Sequence, residues 1–254
     1  MTPSGGVGRR APHGPQISWH RGGGELAPSA TLAAFVAAAA AGAEVIEVDV
    51  RATADGVLVC VHDPELPGLG AIAELDLMQL AQLPEDLCTL EQFLSGLDGV
   101  DPDAATGVHL DLKSEGDERA AVAALRARNR PFFVTTPSVA SIRTLRSLDP
   151  TLEAYLTIGT SREGRSLLGR AALLGRELLP FADLRSSGAT GVAVHERLCT
   201  ALLQHACAAR GLGICVWTVD RDDALRRWLR SGVDVVTTNR PQRALELRAE
   251  LDAT

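Results

Sequence analysis

Three short apolar runs in this chain end in residues able to handle a phosphate ester. Ile17-Ser18-Trp19 leads into His20-Arg21-Gly22, Val45–Val50 carries Glu47 and Asp49, and Val57–Val61 leads into His62-Asp63. Side chains two apart on a strand point to the same face. Glu47 and Asp49 therefore project together, a donor pair suited to an oxygen-liganded cation. Histidine exchanges a proton near neutral pH, so His20 and His62 are candidates for the proton transfers of a phosphodiester cleavage. Arg21 supplies a planar fork matched to phosphate oxygens, and Gly22-Gly23-Gly24 would let backbone approach a ligand.

A fourth run, Val108–Lys113, places Asp111 and Lys113 on one face. Asp111 is the candidate third metal carboxylate and Lys113 a point charge for phosphate; a buried Asp–Lys ion pair is the alternative. His109, deeper in the same run, is expected to be a hydrogen-bonded core residue. Trp217 would either fill the core or wall a substrate pocket. His195 is a weaker candidate, and His13 and His205 are given no role.

These residues need a frame that brings them to one place. Eight strands are predicted: Ile17–Trp19, Val45–Val50, Val108–Leu112, Phe132–Thr135, Glu153–Thr157, Gly191–Val194, Ile214–Val219 and Asp234–Thr237. Helical patterns follow them, over Ser29–Ala41, Leu90–Leu97, Asp117–Arg128, Val139–Ser147, Arg165–Leu174, Leu198–Arg210, Asp222–Arg230 and Gln242–Leu251. Strict alternation implies parallel strands, and eight units in 254 residues imply a single (β/α)8 TIM barrel. Active sites in such barrels lie at the C-terminal ends of the strands, where His20, Glu47, Asp49, Asp111, Lys113 and Trp217 fall. Two carboxylates inside a barrel would be costly without a cation.

Ser29 and Ser138 are the expected helix caps, and Gly42, Gly211 and Gly232 the expected left-handed stops. Val57–Val61 lies outside the eight and is expected to pair beside the second strand. Residues 63–89 form the longest irregular connection, a lid or side structure. Residues 1–15 read as a flexible tail and residues 16–254 as the barrel.

Composition narrows the function. A net charge of −7 and a pI near 5.4 argue against a dedicated nucleic-acid surface. No run approaches the ~20 apolar residues of a bilayer span, and the N-terminus lacks the apolar core of a secretory signal. The five cysteines are scattered, without a C-x-x-C pair, and are expected to be free and buried. A cytoplasmic protein is the expectation; the oligomeric state is not legible.

In order, these pieces resemble the glycerophosphodiester phosphodiesterase family. The matching residues are His20-Arg21-Gly22, then Pro28, Thr31 and Ala34-Phe35, Gly42 to Val50, Thr53 and Asp55-Gly56, His62-Asp63, Leu110 to Lys113, Gly211-Leu212, Val216 to Val219, Gly232 to Asp234 and Thr238 to Pro241. The resemblance implies a TIM barrel, a divalent cation such as Ca2+ or Mg2+, and a small glycerophosphodiester substrate cleaved to glycerol phosphate and an alcohol. It implies His20 and His62 as the acid–base pair, with the substrate's own hydroxyl attacking first through a cyclic phosphate. It implies Glu47, Asp49 and Asp111 as metal ligands, and Arg21, Lys113 and Trp217 as substrate contacts. Two departures stand out. The family reads Pro-Glu-Asn-Thr where this chain has Pro28-Ser29-Ala30-Thr31, and Glu where it has Asp111. Glu25 is the candidate substitute for the missing acid. The competing functions are a phospholipase D-like enzyme for lysophospholipids, using the leucines between 66 and 83, and a catalytically weak barrel that only binds a phosphorylated ligand.

Overall fold

The structure, a computed structural model, describes residues 6–80, 87–159 and 181–253. Eight parallel strands close into a barrel: β1 Gln16–Trp19, β2 Val45–Ala52, β3 Gly107–Leu112, β4 Phe132–Thr136, β5 Ala154–Ile158, β6 Gly191–His195, β7 Gly213–Trp217 and β8 Val235–Thr238. β1 pairs with β8 through Gln16↔Val235 to Trp19↔Thr238, and with β2 through Ser18↔Val45 and Trp19↔Ile46, which completes the ring. The predicted helix at 165–174 lies outside the described residues.

Strand alternation sorts the side chains into two cores. Ile46, Val48, Val50, Val108, Leu110, Val134 and Leu156 face outward and pack with Phe35, Phe93, Leu97, Leu125 and Leu203 of the surrounding helices. The residues between them face inward. At the N-terminal end the lumen is apolar, filled by Val45, Phe133, Tyr155, Ala193, Cys215 and Val235. Towards the other end it turns polar.

Helix starts follow local chemistry. Ser138 caps the helix Val139–Leu148 by accepting from the Ser141 N–H at 3.0 Å. The helix Leu32–Ala40 is capped by Thr31, not Ser29; Thr31 Oγ1 accepts from the Ala34 N–H at 3.1 Å. The cap is displaced because Ala30 turns left-handed, at φ 64°, and donates its N–H to Arg21 O at 2.8 Å. Gly42 and Gly211 take left-handed φ, whereas Gly232 does not.

Val57–Val61 behaves as expected. Its central residues Leu58–Cys60 pair antiparallel with the end of β2, through Val50↔Cys60 to Ala52↔Leu58. The described part of the 63–89 connection is a side structure: a hairpin of Glu65–Leu66 and Gly70–Ala71, then turns of helix at Ile72–Glu74 and Leu77–Leu80. Ile72, Leu75 and Leu80 bury against Val59 in a cluster of their own. All five cysteines are free and buried. Among the described residues, no helix is long and apolar enough to cross a membrane.

From residue 6 on, the N-terminal segment lies across the N-terminal mouth of the barrel. The Tyr155 hydroxyl donates to Gly8 O, Arg9 pairs with Glu153 at 2.9 Å, and the Arg10 N–H donates to Asp234 Oδ1 at 3.0 Å. Glycines make the room. A Cβ on Gly107 would lie 2.6 Å from Val7, and one on Gly213 would collide with the Tyr155 hydroxyl.

Candidate active site

The polar end of the lumen opens as a cavity of about 170 Å³ at the C-terminal ends of the strands. β2 delivers Glu47 and Asp49, β3 delivers Asp111 and, just beyond it, Lys113; the register pairs Asp49 directly with Asp111. β1 ends at His20 and Arg21, the hairpin after β2 brings His62, and β7 ends at Trp217. All eight predicted site residues line this cavity, together with His109, Thr135, Thr157 and Thr237. His195 is not among the lining residues; its ring meets Trp217 edge-on at 5.4 Å.

Glu47, Asp49 and Asp111 each offer an oxygen, and these oxygens lie within 4.8 Å of one another. Two cations are set among them. Arg21 Nε is 2.7 Å from Asp49 Oδ2; Lys113 Nζ is 2.8 Å from Asp49 Oδ1 and 2.5 Å from Asp111 Oδ2. Both expectations for Lys113 therefore rest on one position, since it is ion-paired and also faces the cavity. The Arg21 N–H donates to Glu47 Oε2 at 2.9 Å. Arg21 reaches both carboxylates only because its backbone is left-handed, at φ 52°, a conformation costing about 1–2 kcal/mol for a residue with a Cβ.

The electrostatics are uneven. Burial, then repulsion from Asp49 and Asp111, pushes the Glu47 carboxyl well above the ordinary carboxylate range. Burial also works against the Asp49 carboxylate, but Lys113 and Arg21 outweigh it and hold it low. Asp111 Oδ1 is buried without a hydrogen-bond partner among the described residues. An orphaned carboxylate oxygen beside a glutamate that resists ionisation leaves room for one more positive charge. This hard, all-oxygen donor set fits a divalent cation.

His20 and His62 share the cavity but not an environment. His20 is largely buried; burial lowers its pKa below the ordinary histidine value, against the opposing effect of its hydrogen bond to Asn239 Oδ1. Its Nε2 lies 3.9 Å from Glu47 Oε2. The His62 side chain is 47% exposed, with Nδ1 2.7 Å from Asp63 Oδ1. His109 is a core residue as expected, held between Ser18 Oγ at 3.1 Å and Thr135 Oγ1 at 3.0 Å and stacked on Phe133.

Trp217 proves to be a pocket wall. Its Nε1 and the Thr157 Oγ1 are buried and lack partners among the described residues, and both residues line the cavity. Thr157 was not singled out from the sequence. Neither were Asn239 and Asp220, which stand behind His20: Asn239 Oδ1 is 2.7 Å from His20 Nδ1, and its Nδ2 donates to Asp220 Oδ2 at 2.8 Å. Asn239 directly follows β8 and Asp220 lies three residues past the end of β7, placements at the catalytic rim that could have marked them.

One expectation is corrected. Glu25 does not reach the cavity; its exposed carboxylate accepts from the Gln242 N–H at 2.9 Å, capping the helix Pro241–Asp252. Gly22 and Gly23 are required by packing within the protein. A Cβ on Gly22 would meet the Ala34 backbone at 2.9 Å, and one on Gly23 would meet Pro241 at 2.8 Å.

A model of the glycerophosphoryl diester phosphodiesterase family matches residues 20–243, the span that holds every residue of the cavity. The chain belongs to this family. It is 26% identical over 246 residues to a glycerophosphodiester phosphodiesterase of Caldanaerobacter subterraneus, covering 90% of this chain and 95% of that one. Among solved structures it resembles a glycerophosphodiester phosphodiesterase from Parabacteroides distasonis, with a TM-score of 0.77, 22% identity and coverage of 94% and 98%. It also resembles a phosphodiesterase of Oleispira antarctica solved with the product sn-glycerol-3-phosphate, at a TM-score of 0.74, 21% identity and coverage of 92% and 96%. These two structural likenesses speak to the barrel.

Proposed function

We propose that this phosphodiesterase hydrolyses small glycerophosphodiesters to glycerol phosphate and an alcohol, with a divalent cation, Mg2+ or Ca2+, held by Glu47, Asp49 and Asp111. The observation that carries the reading is charge. Three carboxyl groups meet only two cations, Arg21 and Lys113, and Glu47 resists ionisation without a further positive charge. So arranged, the cluster offers a diester anion no net positive charge. A bound divalent cation would let Glu47 ionise and would leave a net positive charge that matches the substrate. When bound, it would polarise a phosphoryl oxygen and orient a substrate hydroxyl.

The chain's own residues supply the rest. His20, kept neutral by burial, takes the proton from the attacking substrate hydroxyl. His62, at the open side and paired with Asp63, protonates the departing alcohol oxygen. When water then opens the cyclic phosphate, the two exchange roles. Arg21 and Lys113 balance charge on the phosphoryl oxygens.

Two features argue against the competing functions. The inner leucines of the 63–80 segment are spent on their own cluster with Val59, so they line no acyl channel. The loss of the family's Glu and Asn at Ser29 and Ala30 leaves the cavity residues together, against a barrel that only binds.

The deciding assay offers glycerophosphocholine and lysophosphatidylcholine with and without EDTA. Release of glycerol phosphate from the first, abolished by EDTA and restored by Mg2+ or Ca2+, is expected. Turnover of lysophosphatidylcholine alone would overturn the substrate class, and EDTA-resistant turnover would overturn the metal.

A further inference from the structure

Asp220 and Asn239 lie outside the cavity lining, yet they hold His20, a cavity residue whose chemistry depends on where its proton sits. Asp220 is thoroughly engaged. Its Oδ1 accepts from the Asn239 N–H at 2.9 Å and from Thr238 Oγ1 at 3.2 Å, and its Oδ2 accepts from Asn239 Nδ2 at 2.8 Å. Its backbone oxygen accepts from Arg240 Nη1 at 2.9 Å.

A carboxylate only accepts hydrogen bonds. The Asn239 side-chain atom that faces Asp220 is therefore its NH2, and the atom that faces His20 is its carbonyl oxygen. That assignment follows from the network rather than from electron count. A carbonyl oxygen also only accepts, so the His20 nitrogen 2.7 Å away must carry hydrogen. In the neutral ring, Nε2 is then the nitrogen with the free lone pair, on the side of Glu47.

We propose that Asp220 is a positioning residue: through Asn239 it locks His20 in the Nδ1–H tautomer, leaving Nε2 free to accept the substrate's proton. The inference rests on His20 being a proton-transfer group, as read above. It adds a residue two hydrogen bonds from the cavity and a reason for an amide there. His62 has a carboxylate directly on Nδ1. For His20 the carboxylate stands one residue back, so the tautomer is fixed without a negative charge directly on Nδ1.

The test is spectroscopic and needs neither metal nor turnover. Protein labelled with 15N in its histidines is examined at a pH where the His20 ring is neutral, with the His20 signals assigned by their loss in His20→Gln. A protonated Nδ1 and an unprotonated Nε2 are expected in the wild type; the reverse pattern overturns the proposal. Asp220→Asn lets the Asn239 amide turn either way. It should mix or reverse the His20 tautomer and reduce kcat by ~100-fold or more with KM little changed. A folded Asp220→Asn protein with the wild-type tautomer and kcat also overturns it. Should that variant not fold, Asn239→Ala carries the same comparison. Failure of the functional reading would show separately, as wild-type protein releasing no glycerol phosphate.

Discussion

The Lys113 ammonium lies 2.8 Å from Asp49 Oδ1, and with its contact to Asp111 it sits within the acidic cluster rather than at its rim. Burial opposes that ammonium, but Asp111 and Asp49 overcome it and raise its pKa. A fixed positive charge there balances phosphate oxygens but repels a cation held by the same carboxylates. Lys113→Met should thus tighten Mg2+ binding by about tenfold or more, ~1.4 kcal/mol, while kcat/KM falls by at least ~100-fold. Calorimetric titration and steady-state kinetics read the two effects. Weaker cation binding would instead make Lys113 a holder of the carboxylates.

Removal of a metal carboxylate has its own signature. A cation that binds only the folded protein adds stability of about 2.7 kcal/mol at a hundred times its Kd. Millimolar Mg2+ or Ca2+ should therefore raise the melting temperature of the wild type. Asp111→Asn, which weakens the donor whose Oδ1 is orphaned, should lose most of that increment. An equal increment in both proteins would place the cation elsewhere.

What the sequence made legible was whatever repeats at short range. Alternation in Val45–Val50 put Glu47 and Asp49 on one face, and the same spacing joined Asp111 to Lys113. Closure of the barrel then brought both pairs together without further information. Contacts between distant segments were not legible. His20 and Asn239 are 219 residues apart, and Tyr155 and Gly8 are 147 apart; no local pattern encodes either. Backbone conformation was hidden too. Thr31 displaces Ser29 as a cap because Ala30 turns left-handed, a choice made by the Arg21 carbonyl that Ala30 bonds.

That turn makes a prediction about stability. Ala30, at φ 64°, stands where the family has Asn, and asparagine tolerates this conformation better than alanine. Ala30→Asn should stabilise the protein by about 0.5–1 kcal/mol. Denaturant unfolding would show a higher midpoint at unchanged slope. A lower midpoint would mean that the side chain has no room beside Arg21.

The N-terminal mouth offers a sharper loss. Deleting residues 2–10 strips the Gly8 acceptor from the buried Tyr155 hydroxyl and the Arg9 partner from Glu153. An orphaned buried hydroxyl costs about 1–3 kcal/mol, and the apolar floor around Phe133 loses its cover of Val7 and Gly8. A destabilisation of about 3 kcal/mol or more is expected by chemical denaturation. A difference below ~0.5 kcal/mol would show the segment to be dispensable.

His109 sets a pH dependence whose sign can be worked out. Burial pushes its pKa down to about 3 in the folded protein, against about 6.5 when unfolded. Between those values the unfolded chain binds the extra proton, so stability rises with pH across this window. The contribution is complete above about pH 6.5 and is lost as pH falls towards 3. From pH 7 to pH 5 the loss amounts to about 2 kcal/mol. Glu47, raised by burial, changes stability in the opposite sense as its carboxyl ionises. It is present in wild type and variant alike, so the difference between them isolates the histidine. His109→Gln should unfold more easily at pH 7 yet lose about 2 kcal/mol less on acidification than the wild type does. Parallel pH profiles for the two proteins would mean that His109 is not the group that titrates.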